Sequence, residues 1–214
     1  MQRNKLKILL TGGSRGIGKA ILERFSDHDV YAPSRNELDL SKEINLKVVD
    51  FDVVINNAGI NPLKSIENVE DDMVMRVNYH APLRIVQQCL PFMVYQRFGR
   101  IVNIGSIWID LAKHDRLSYS ASKAALHSLT RSLTAEYASY GILSNTVSPG
   151  FVKTDLTFAN NTEKDLRTTI CNIPLNRLCE PREIANIVYY LCVENTYMSG
   201  QNIVVDGGFT CTAN

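Results

Sequence analysis

The chain has 214 residues, 45% of them hydrophobic, with 23 basic and 22 acidic side chains; this fits one large α/β domain that builds its core without disulfides or a structural metal. Balanced charge excludes a global field for nucleic acid or an anionic membrane, and no apolar run approaches the ~20 residues of a membrane span. Five cysteines without a CxxC pair, and an Ile8-Leu9-Leu10 run too short for a signal sequence, point to reduced thiols in a cytoplasmic protein.

Lys7 to Thr11 reads as a first strand, followed by a glycine-rich turn and a helix from about Ile17 to Ser26. Val30 to Pro33 is a second short strand. Asp52 to Asn56 is a buried one, closed by the turn residues Asn57-Ala58-Gly59. Asp71 to Arg97 is a long helical stretch in which Pro82 and Pro91 predict a kink or break. A strand at Arg100 to Ile104 leads through a loop to a helix from about Ser120 to Tyr140, with Gly141 as its C′ residue. Leu143 to Val147 is a strand ending at Ser148-Pro149-Gly150. Phe151 to about Glu180 reads as a polar, irregular, mobile loop. Pro181 opens a helix to about Val193, and Ile203 to Val205 is the last strand. Strands separated by helix-length segments predict parallel βαβ units in an α/β fold: a doubly wound parallel sheet in one domain over 1–214.

Where the first strand meets the first helix, the sequence reads Thr11-Gly12-Gly13-Ser14-Arg15-Gly16-Ile17-Gly18. A dinucleotide pyrophosphate needs close backbone, free N–H groups and a helix N-terminus. Gly12 allows the turn, Gly16 the approach of the phosphate and Gly18 the packing of helix on strand. After the second strand, Ser34 stands near the position where NAD-selective sites carry an acid, with Arg35 beside it. Arg15 and Arg35 together can clamp a 2′-phosphate, which favours NADP(H); nearby Glu37 keeps NAD(H) as the alternative.

Of the nine tyrosines, only Tyr119 has a lysine four positions on, Lys123. The two share a helix face. An adjacent ammonium and a helix N-terminus are expected to lower the phenol's pKa and suit it to acid–base work. Ser106, at the carboxyl end of a strand, can donate to a developing alkoxide. Asn78, a poor helix former in the long helix, can hold a water near Lys123. The four histidines have no metal-ligand spacing, so no catalytic metal is expected.

These motifs, together with Asn56-Asn57-Ala58-Gly59, Pro149-Gly150 and Asp206-Gly207-Gly208 in the same order, resemble the short-chain dehydrogenase/reductase family over nearly the whole chain. The resemblance implies a Rossmann fold of about seven strands, a homotetramer or dimer, and a tetrad of Asn78, Ser106, Tyr119 and Lys123. It also implies cofactor contacts from Gly12, Ser14, Arg15, Gly16, Ile17, Gly18, Arg35, Ala58, Gly59, Tyr119, Lys123, Pro149 and Gly150. Asn56 would lie at the adenosine ribose, Asp39 at the adenine, and Val152 and Thr154 at the carboxamide. One departure stands out: only about twenty residues separate Arg35 from Asn56, so Leu38-Asp39-Leu40 is expected to be a stub strand.

The stretch from Pro149 to Ala185, with its substrate loop at about 151–180, is most similar to 3-oxoacyl-[acyl-carrier-protein] reductases. The bulky, polar residues from Trp108 to Arg116 argue instead for a hydroxylated or anionic substrate, such as a nucleotide-linked sugar. A non-catalytic NADP-sensing regulator is the alternative of another class; such relatives usually lose the Tyr or the Lys.

Overall fold

A computed structural model describes residues 5–212. Its strands are β1 (Lys7–Leu10), β2 (Asp29–Tyr31), β3 (Val53–Asn56), β4 (Gly99–Ile104), β5 (Ile142–Pro149) and β6 (Asn202–Val205). Its α-helices are α1 (Gly16–Arg24), α2 (Asp72–Met75), α3 (Ala81–Gln96), α4 (Leu117–Tyr137), α5 (Asp155–Ala159), α6 (Glu163–Asn172) and α7 (Pro181–Tyr189).

The strands form one sheet in the order β2-β1-β3-β4-β5-β6, every pairing parallel. Alternation along the strands supplies two apolar faces. Ile8, Leu10, Val53 and Ile55 pack with Ile21 of α1, Phe25 just after it, and Ile184 and Val188 of α7. Leu9, Val54 and Ile101 pack on the other face, against Ile85, Cys89 and Met93 of α3 and Leu126, Leu129 and Leu133 of α4. The chain lays β2 on one side of β1 and β3 on the other. A crevice therefore opens beyond the carboxyl ends of β1 and β3, where a doubly wound sheet binds its ligands.

The structure corrects three expectations. The sheet has six strands rather than about seven, because Leu38-Asp39-Leu40 is turn and coil. Leu40, Ile44 and Phe51 still bury against the core. The backbone that a neighbouring strand would have satisfied is met by Gln88 of α3, which accepts from the Leu46 N–H at 2.9 Å and donates to the Ile44 carbonyl at 2.8 Å.

In the long helix, Pro91 is accommodated within α3, and the distortion falls instead at Arg76–His80, a π-helical turn. Pro82 has no N–H to offer the carbonyl of Asn78, and the ladder slips by one residue, with the Ala81 N–H bonding Arg76. The third correction is the segment 151–180, which contains α5 and α6. Thr162 and Asp165 form a reciprocal capping box at the start of α6, so the Thr-x-x-Asp spacing was the overlooked signal.

Candidate active site

The floor of the crevice is the turn after β1. Gly12 and Gly16 have φ of 70° and 53°, the left-handed region that favours glycine. A Cβ on Gly18 would collide with the Gly12 carbonyl, and one on Gly12 would lie 2.9 Å from the Ala58 Cα. The turn is thus packed directly against the chain leaving β3. Thr11 and Asn57 stitch the two together. The Thr11 hydroxyl oxygen accepts from the Asn57 and Ala58 N–H groups at 3.1 Å each, and the Asn57 side chain donates to the Thr11 and Gly12 carbonyls at 3.0 Å each.

At the other end of the crevice, Ser106 follows β4 and caps a short 3₁₀ turn, its hydroxyl oxygen accepting from the Trp108 N–H at 3.3 Å. Tyr119 and Lys123 lie one turn apart on α4, with the ammonium 5.6 Å from the phenol ring centroid. Lys123 is 3% exposed, and its Nζ donates to the Ile104 carbonyl at 2.7 Å.

Burial pushes the Tyr119 phenol above its ordinary pKa, while a hydrogen bond with Ser106 and the charge of Arg116 pull it down. Burial also brings the Lys123 ammonium down to about 8. The expected lowering of the phenol by Lys123 is therefore not what this geometry produces. Desolvation outweighs it, and the ammonium is directed to a backbone carbonyl.

Both ends open into one cavity of about 790 Å³. It brings together Gly12, Ser14, Arg15, Gly16, Ile17, Gly18, Arg35, Asp39, Ala58, Gly59, Ser106, Tyr119, Lys123, Pro149, Gly150, Val152 and Thr154. Two expected site residues do not line it. Asn56 is buried in β3, where its amide donates to Asn103 at 2.8 Å; its strand parity points it into the core. Asn78 is fully buried behind Gly59. Its amide donates to the Ile60 carbonyl and the Ser122 hydroxyl, and its oxygen accepts from the Ile60 N–H. That side chain latches the chain after β3 to α4 and has no donor left for a water.

Sequence reasoning missed Asn57 as a lining residue, although doubled asparagine after a buried strand was a visible signal. It also left open the inward placement of Trp108 and Arg116, which line the cavity beside Ser106 and Tyr119.

The sequence model described as enoyl-(acyl carrier protein) reductase matches residues 24–210. The 3-oxoacyl-[acyl-carrier-protein] reductase of Vibrio cholerae is 34% identical over 234 aligned positions, covering 94% of this chain and 95% of the relative. This chain belongs to the short-chain dehydrogenase/reductase family. The acetoacetyl-CoA reductase of Allochromatium vinosum is 37% identical over 78% of this chain and 69% of its own length. Among solved structures, a candidate NAD(P)-dependent gluconate 5-dehydrogenase of Beutenbergia cavernae, with NADP bound at low occupancy, superposes with a TM-score of 0.90 at 26% identity, covering 97% of each chain.

As a short-chain dehydrogenase/reductase, the protein is an NAD(P)-dependent oxidoreductase of the carbonyl/alcohol type. The residues present fit a dinucleotide: glycines where a Cβ would close the cradle, a helix N-terminus behind them, and a long cleft to the phenol. Gly18→Ala is expected to abolish nucleotide binding and to cost about 1–3 kcal/mol of stability, because the added methyl forces α1 away from the turn. Nucleotide titration and a thermal melt of the variant check this.

Proposed function

We propose that this chain is an NADPH-dependent reductase that interconverts a ketone and a secondary alcohol, with Tyr119 as general acid and base. One observation carries the reading: a half-buried phenol, beside Ser106 in the cavity wall and one turn from Lys123, shares a cavity with the glycine turn. The nicotinamide, when bound, supplies or accepts the hydride. Ser106 holds the carbonyl oxygen, and Tyr119 passes its hydroxyl proton to that oxygen as the new C–H bond forms. Lys123 would hold the nicotinamide ribose, and solvent returns the proton to the phenolate.

Arg15 and Arg35, both exposed at the rim, are placed to take a 2′-phosphate. Arg35 is held only loosely, 3.8 Å from Asp39. Glu37 accepts from the Ser34 N–H and hydroxyl at 2.8 Å each, and Asp39 from the Ser41 N–H and hydroxyl at 3.0 and 2.7 Å, so both nearby acids are engaged locally. The NADP bound to the Beutenbergia cavernae relative supports the same choice. The whole chain acts as one nucleotide-binding domain, with residues 151–180 forming the substrate side. A sensing role without turnover is disfavoured by the presence of both Tyr119 and Lys123.

For the substrate, the sequence relatives favour 3-oxoacyl thioesters. A polar or anionic ketone is the second reading, favoured by Trp108 and Arg116 in the cavity wall. The test follows NADPH and NADH oxidation with acetoacetyl-CoA and a set of polar ketones. NADPH is expected to be preferred by about tenfold or more in kcat/KM, a preference that Arg15→Ala with Arg35→Ala reduces. Oxidation of neither coenzyme with any ketone overturns the reading.

A further inference from the structure

We propose that Arg116 is the receptor for a carboxylate on the substrate, so that the protein acts on short keto acids whose carboxylate lies a few bonds from the reacting carbonyl. The assignment rests on the hydride-transfer reading above and chooses between its two substrate classes.

Arg116 is 5% exposed and lines the cavity with Ser106, Trp108 and Tyr119. Its Nε is buried without a hydrogen-bond partner. Among the described residues, no carboxylate forms an ion pair with it. A guanidinium dehydrated without a counter-charge is costly, and such groups are normally paired.

Its position in the chain adds to that cost. Arg116 is the N-cap of the 21-residue helix α4 and makes no side-chain cap. Serine, threonine, asparagine or aspartate is the usual choice there, and a cation at this end opposes the helix dipole. Helix capping thus gives no reason for the residue.

The backbone before it is arranged to present it. Asp115 has φ of 62°, and its carbonyl accepts from the Lys64 N–H at 3.3 Å. The turn delivers the guanidinium to the cavity one helical turn before Tyr119.

The groups facing it do not neutralise it. Trp108 lies 5.8 Å from its guanidinium carbon. Lys113, a second cation, sits 5.8 Å from the same indole and 5.9 Å from the Phe151 ring. Asp115 and the Tyr119 phenol are near enough to favour the charged guanidinium, and Asp165 acts on Lys113, yet none of them pairs with Arg116. The indole contact returns only part of the dehydration cost. What remains suits a planar carboxylate taken by the guanidinium fork, with Lys113 strengthening the local positive field. A thioester has no such charge near its ketone.

The test compares acetoacetate and 4-oxopentanoate with their methyl esters, in wild type, Arg116→Gln and Arg116→Lys. Trp108 is the single tryptophan of the chain, so its fluorescence reports binding without turnover. The expected result is a saturable Trp108 response to at least one acid at a concentration about tenfold or more below that for its ester, matched by the kcat/KM ratio with NADPH. Arg116→Gln is expected to bring the acid-to-ester ratio near one, and Arg116→Lys to retain part of it. Acids and esters that bind equally, or an acid preference that survives Arg116→Gln, overturn the proposal and leave hydride transfer standing. Selective acid binding with no NADPH oxidation by either acid overturns keto acids as the substrates, while turnover of acetoacetyl-CoA decides the reductase reading separately.

Discussion

Tyr119→Phe is expected to lower kcat for ketone reduction by about 10²–10⁴, with a much smaller effect on the dissociation constant for NADPH. The substitution removes one oxygen and keeps the ring that packs at the head of α4. What is lost is the proton delivered to the nascent alkoxide and the influence of Ser106 on the phenol. Because burial raises the phenol's pKa, the protonated form persists through neutral pH into the alkaline range. Ketone reduction should therefore be flat across neutral pH and decline only on the alkaline side. Alcohol oxidation, which needs the phenolate, should climb with pH over the same interval. Steady-state rates in both directions check the pair of profiles. A Phe variant with unimpaired turnover would falsify the assignment of the proton donor.

Lys123→Met is expected to abolish activity and, at neutral pH, to stabilise the protein. The lysine's pKa falls from an ordinary 10.5 to about 8 on burial. Below about pH 8 the folded chain carries a charge it disfavours, a penalty on the order of 3 kcal/mol. Methionine removes that penalty but leaves the Ile104 carbonyl without its donor, which costs about 1 kcal/mol. The net gain of about 2 kcal/mol corresponds to a rise in Tm of roughly 4–8 °C. The sign with pH follows from linkage: a depressed lysine regains stability between about 8 and 10.5, where the wild type sheds its buried proton. The advantage of the variant should shrink across that window. Melts of the two proteins without nucleotide, at neutral and alkaline pH, measure it. The residue is thus kept for chemistry at a cost to the fold.

Much of this was readable before the fold was known, for identifiable reasons. The glycine turn, Ser106 and the Tyr119–Lys123 pair each lie at a strand end or on a helix face, where period and punctuation fix the direction of a side chain. Asn56 and Asn57 show the limit. The two are adjacent, and strand parity sends the first into the core and the second to the cleft. The function of Asn78 depends on the Ile60 backbone and Ser122, distant in sequence, and no spacing rule connects them. The direction of the Tyr119 shift was misjudged because it depends on burial, which a helical repeat does not report. For Arg116 the sequence left a substrate wall and a solvent-facing loop equally open, and the turn at Asp115 turns it inward.

The shortened stretch between Arg35 and Phe51 also changes what the molecule presents at its border. Among the described residues no strand lies outside β2, so β2 is one terminal ribbon of the sheet. It is only three residues long, and Asp29 at its start is held by Lys5 at 2.6 Å. So brief and charged a margin gives a second chain little to zip onto, and this edge is guarded against edge-to-edge aggregation by its shortness and charge.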